Sequence, residues 1–152
     1  MILISPSKNL NIRSETINFK SSEPQFKKKI KVLSDSLRGL SISELKSLMP
    51  ISDKLVELNI KRFENFGKSD NPKKPAVFLF TGATFDGLSI RSFDENSYDY
   101  IQKNLRILSG LYGILKPFDI IQPYRLEMGT NTVKLINSSL YEFWSNDISK
   151  NL

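Results

Sequence analysis

Lys8, Arg125 and Glu127 are the side chains of this 152-residue sequence best suited to chemistry. A lysine whose pKa is lowered by burial serves as nucleophile or base, with a glutamate as its acid–base partner. An arginine fork orients a phosphate or carbonyl group. Lys8 sits in Ser5-Pro6-Ser7-Lys8-Asn9-Leu10, directly after the apolar run Met1–Ile4. Loops leaving strand ends often line sites, and Ser7 can help to orient a ligand there; a plain polar turn is the alternative. Arg125 and Glu127 lie in Gln122-Pro123-Tyr124-Arg125-Leu126-Glu127-Met128-Gly129. The competing reading of that cluster is an internal ion pair of Arg125 with Glu127 or Asp119. As an active site, Lys8 and Glu127 would have to converge in one pocket with Arg125.

A second motif points to phosphate binding. Leu108-Ser109-Gly110-Leu111-Tyr112-Gly113-Ile114-Leu115-Lys116-Pro117 places two glycines around two apolar residues. Glycine permits a tight turn whose amides face outward, as in hairpins that bind DNA phosphates without reading bases. Ser109, Gly110, Tyr112 and Gly113 would form that turn, with Arg106 before it and Lys116 after it adding charge. The same glycines also suit a helix C-cap followed by a strand.

The sequence contains neither Cys nor His. That excludes the usual zinc sites, thiol nucleophiles and a histidine base. It also leaves only dispersed carboxylates and hydroxyls for a metal, so no metal and no cofactor is expected. The net charge is +6, and residues 1–76 hold 15 Lys/Arg against 8 Asp/Glu. A basic half of this kind suits a polyanion such as double-stranded DNA, or a lysine-rich solvated surface. No apolar run is long enough to cross a bilayer. A cytoplasmic location without membrane association is the expectation.

These side chains need a frame. Met1–Ile4 reads as a buried strand. A helix from Pro24 carries Phe26, Ile30, Leu33 and Leu37 on one face and stops at Gly39. Ser41-Ile42-Ser43-Glu44 is a capping box for a helix through Leu48, and Ser52 caps a third ending near Gly67. Ala76–Phe80 reads as a central buried strand. Gly82 and Gly87 suit a structural turn or a phosphate contact, but no Lys-Ser/Thr follows, so this is no P-loop. Ser92-Phe93-Asp94-Glu95 predicts a capped helix running through Leu108. Ser139-Leu140-Tyr141-Glu142 caps a last one, whose bulky aromatics have no evident partner. The fold class is mixed α/β (α+β): an N-terminal strand, a cluster of short helices, a central strand and a helix–hairpin–helix-like element. Residues 1–152 read as one domain.

Five collinear motifs then become recognisable: Ile4–Leu10, Ile51–Leu55, Leu108–Pro117, Gln122–Gly129 and Leu140-Tyr141-Glu142-Phe143-Trp144. Together they resemble the YaaA peroxide-stress protein family from end to end. The resemblance implies a cytosolic peroxide-stress protein that binds DNA and limits damage by unincorporated iron. It further implies a mixed α/β fold with a basic cleft and a helix–hairpin–helix, matched by Ser109–Gly113. Family members continue past Leu152, so this chain is expected to be the N-terminal part of a longer domain. Where the family shows Gly-Asp-Val-Tyr, this sequence has Gly82-Ala83-Thr84-Phe85, losing an acid and a tyrosyl hydroxyl. The leading expectation is a binding protein rather than an enzyme. The alternatives are an enzyme acting on a nucleotide or nucleic-acid base, or a truncated fragment without function.

Overall fold

A computed structural model describes residues 1–152, which form two compact units. The first comprises Met1–Gln25, Pro72–Ser109 and Ile114–Pro123; the second comprises Phe26–Asn71, Gly110–Gly113 and Tyr124–Leu152.

In the first unit, β1 (Ile2–Ile4) pairs in parallel with β3 (Leu105–Ser109), in the register Ile2 to Leu105 and Ile4 to Ile107. The sheet order is β1-β3-β4, with β4 spanning Gly113–Leu115. In β3, Leu105, Ile107 and Ser109 are buried while Arg106 and Leu108 are half-buried, the two-residue alternation of a strand. A second ladder pairs β2 (Lys74–Pro75) antiparallel with β5 (Ile120–Ile121). Between these strands come three helices: α4 (Ala76–Leu79), α5 (Ala83–Leu88) and α6 (Glu95–Asn104). Phe19, Tyr98 and Phe78 pack around Phe118, with ring centroids 4.4, 5.2 and 6.0 Å from it.

The polar stretch from 11 to 23 has no regular secondary structure, yet it is tied down by its charges. Glu15 pairs with buried Lys74 at 2.6 Å and accepts two hydrogen bonds from Arg91. Arg91 in turn lies over the Phe78 ring. The Arg91 hydrogen bond is the main reason that the Glu15 carboxyl lies below its usual range.

The second unit is helical. Its elements are α1 (Lys27–Arg38), α2 (Ile42–Leu48), α3 (Asp53–Asn65), α7 (Val133–Ile136) and α8 (Leu140–Lys150). The capping box at Ser41 is fully formed: its hydroxyl accepts from the Glu44 amide, and Glu44 accepts from the Ser41 amide. Ser52 and Ser139 cap α3 and α8 in the same way through one bond each. Helix α1 packs on α3 and α7, while α2 packs on α3. Lys29 reaches from α1 to the Phe143 carbonyl and Asp147 of α8, over the faces of Phe143 and Trp144. No helix is long and apolar enough to cross a membrane.

The mixed α/β class is as expected, but four features differ from the sequence reading. Met1–Ile4 supplies the strand β1 but is not buried, because Met1, Ile2 and Leu3 are exposed. Ala76–Phe80 is not a central strand, because its first four residues form α4. The helix expected through Leu108 is capped by Asp94 rather than Ser92, starts at Glu95 and gives way to β3 after Asn104. The glycine turn therefore joins two strands, and there is no helix–hairpin–helix at Ser109–Gly113.

Candidate functional site

Because β1 and β3 run parallel, their C-terminal ends meet at one edge of the sheet in the first unit. That edge is where open α/β sheets place their ligands. Ser5–Leu10 leaves it from β1 and is pinned at several points. Ser7 Oγ accepts from the Asn9 amide, Asn9 O accepts from Thr81 N, and Asn11 N donates to Leu79 O. Gly82 has φ of 111°, and a side chain there would meet Ser7 Oγ at 3.3 Å. Lys8 projects from this braced loop and is exposed.

Two other cations of this unit differ in their freedom. Arg106 folds back, donating to the carbonyls of Gln102 at 3.0 Å and Leu105 at 2.7 Å. It thereby satisfies carbonyls at the end of α6, where a positive charge also favours the helix dipole. Lys116 is exposed, and only its backbone is anchored, through an amide bond of 2.8 Å to Asp119 Oδ2.

Asp119 is a buried carboxylate that the sequence reading offered only as an ion-pair partner of Arg125. Its observed partners are the Ser22 hydroxyl at 2.6 Å and the Lys116 amide. Gln102 completes the network by donating to Ser22 Oγ and accepting from the Phe118 amide. Burial pushes the Asp119 carboxyl above its ordinary value, against the pull of these hydrogen bonds.

In the second unit, the glycine turn is shaped by packing. Gly110, Leu111, Tyr112 and Gly113 are all buried, as is Ser109 in the first unit, so the expected outward-facing amides are corrected. A Cβ on Gly110 would lie 2.2 Å from the Leu126 carbonyl oxygen. Gly113 has φ of 78°, and a Cβ there would lie 2.7 Å from the Trp144 ring. The Trp144 indole donates to the Gly110 carbonyl at 2.9 Å. The bulky aromatic of the last helix thus has a partner: it fills the space that the two glycines leave.

Arg125 pairs with Glu127 at 3.6 Å, one of the two partners expected from sequence. Arg62, which sequence reasoning passed over as a polar position of an amphipathic helix, lies on α3 of the same unit and donates to Asn59 Oδ1 at 3.3 Å. Phe66, one turn after Arg62, has its ring centroid 6.1 Å from that of Tyr112. Tyr112 lies 5.4 Å from Tyr124, the residue before Arg125. Burial, and then the charge of Arg125, hold the Arg62 guanidinium below its usual range. Lys8, Arg106, Ser109 and Lys116 thus belong to the first unit, and Gly110, Tyr112, Gly113, Arg125 and Glu127 to the second.

A parallel strand pair with a braced, lysine-bearing loop at its C-terminal edge, together with a helical unit rich in cations, defines a mixed α/β protein with several basic groups. The chain belongs to the peroxide stress protein YaaA family, whose model matches residues 1–152. It is similar to a UPF0246 protein of Roseobacter denitrificans, at 44% identity over 154 residues. That match covers 100% of this chain and 59% of the relative, so the chain spans about three-fifths of that protein's length.

Proposed function

We propose that this chain serves the response to peroxide as a cytoplasmic protein that binds the phosphate backbone of double-stranded DNA and limits iron-driven damage to it. The observation that carries this reading is the charge of α1, which holds five cations against the single carboxylate Asp35. Lys27, Lys28 and Lys31 are all exposed on it. Ordered cationic groups of this density neutralise phosphates and release their counterions. Lys8, Lys116 and Arg125 add contacts from segments held by the hydrogen bonds and packing described above. Arg106 contributes field rather than a direct bond, and Ser109, Gly110, Tyr112 and Gly113 hold the frame. With no Cys or His in the sequence, protection by covering DNA is favoured over holding iron through side chains. Titration of labelled duplexes of several sequences, at several salt concentrations, tests this. The expected result is binding that is nearly independent of sequence and falls steeply with salt; no binding at low salt by folded protein overturns it.

A further inference from the structure

We infer that the free edge of β1 seats a further β-strand. Its occupant is polypeptide corresponding to the part of the Roseobacter denitrificans relative that lies outside the match to this chain. The sheet order β1-β3-β4 gives β1 a strand on one side only, so the N–H and C=O groups along its other side face no ladder. Met1, Ile2 and Leu3 are 63%, 47% and 44% exposed. Side chains of a strand alternate between faces, so Ile2 and Leu3 lie on opposite sides of the sheet, and both sides are open.

These residue types do not suit an edge. Proteins protect edge strands with lysine, proline or a bulge, and an uncovered apolar edge pairs with other polypeptide. Met1-Ile2-Leu3-Ile4 holds no charge and no proline. A continuous apolar run of this kind is typical of strands buried on both faces. β1 thus has the composition of an interior strand and the position of an edge one. On the Ile2 side the opening continues as a groove of about 640 Å³, which Ile2 and Ile4 line together with Leu88, Phe93 and Tyr100. Asp94 is the one charged residue of that lining, so the groove suits apolar polypeptide and not the phosphates of DNA.

Two features choose the occupant. The relative carries about two-fifths of its length outside the match, which is ample chain for a strand and the connection to it. A second copy of this chain is the rival. However, β1 has three residues, and a pairing of that length falls short of the roughly 1,200 Å² that a stable interface buries. A segment of one continuous chain needs no such area, because linkage gives it a high effective concentration.

The test mixes the 152-residue chain with the unmatched part of the relative, made as a separate polypeptide, and follows amide hydrogen exchange. A complex is expected in which exchange within Met1–Ile4 slows by about tenfold or more. Leu3→Lys should abolish that complex while leaving the melting of the chain alone unchanged, because Leu3 is exposed there. Tyr100→Lys, on α6 rather than β1, should weaken it by about tenfold. Absence of a complex overturns the inference, as does a complex that leaves β1 exchange unchanged and tolerates both variants. Sedimentation of the chain alone covers the rival: a dimer that Leu3→Lys dissociates gives the edge to a second copy, and overturns the inference too. Should Leu3→Lys fail to fold, Tyr100→Lys decides alone, and undiminished binding then overturns it.

Discussion

The hydroxyl of Ser22 donates to Oδ1 of Asp119 at 2.6 Å, joining residues 97 positions apart. This bond, with the Ser22 backbone bridging Phe118 and Ile120, fixes the otherwise irregular segment before Pro24. Its acceptor is an acid whose proton affinity burial has raised, and that has a consequence for stability. A raised carboxyl contributes stability that is full below its unfolded value and is lost as pH rises through the folded one. From about pH 4 upward, Asp119 therefore lowers stability. Asp119→Asn should remove that decline from the curve of stability against pH, at a uniform cost of about 1 kcal/mol for one lost acceptor. Urea denaturation at a series of pH values checks it.

Glu15 should show the opposite sign. Arg91 and Lys74 lower its carboxyl, so its contribution is present above the unfolded value and is lost as pH falls through the folded one. Glu15→Gln is expected to cut stability at neutral pH and to make the remaining acid-side loss shallower. The same urea series reads both variants, and equal slopes for wild type and Glu15→Gln would refute the assignment.

The two glycines of the turn should fail differently when given a methyl group. Gly110→Ala drives a Cβ into a backbone carbonyl that has little room to move, and should cost about 2–3 kcal/mol. Gly113→Ala combines about 1 kcal/mol of left-handed strain with a clash against Trp144. Shrinking the ring with Trp144→Phe should recover part of the Gly113→Ala loss and none of the Gly110→Ala loss. A double-mutant cycle by denaturation separates the two.

Lys116→Ala should leave stability within about 0.5 kcal/mol, since the side chain is exposed and only its backbone is anchored. Duplex binding should nevertheless weaken alike for all sequences, and the salt slope should flatten by about one phosphate contact. Binding isotherms at several salt concentrations measure this. A Lys116→Ala protein that binds like wild type removes Lys116 from the interface.

Local signals were legible, and signals that depend on a distant partner were not. Ser41 with Glu44 declares a capping box because both partners lie within one turn of chain. Ile101, Leu105 and Leu108 fit helical spacing, but Leu105, Ile107 and Ser109 fit a strand equally well. What decides is β1, a hundred residues away, whose register with β3 no local period reveals. Ala76-Val77-Phe78-Leu79-Phe80 is apolar at every position, so it carries no period to read. The glycine motif was legible as a tight turn. Its buried state was not, because it depends on Trp144 and Leu126.

Trp144 is the only tryptophan in the sequence, and it lies against the Gly110–Gly113 turn with no exposed surface. The molecule therefore carries one indole fluorophore, spectrally distinct from its five tyrosines, and that indole belongs to the helical unit. Its emission reports the docking of α8 on the turn, whereas far-ultraviolet dichroism averages over all helices. Where the two signals part company along a melt, the gap between them measures how far one unit loosens before the other.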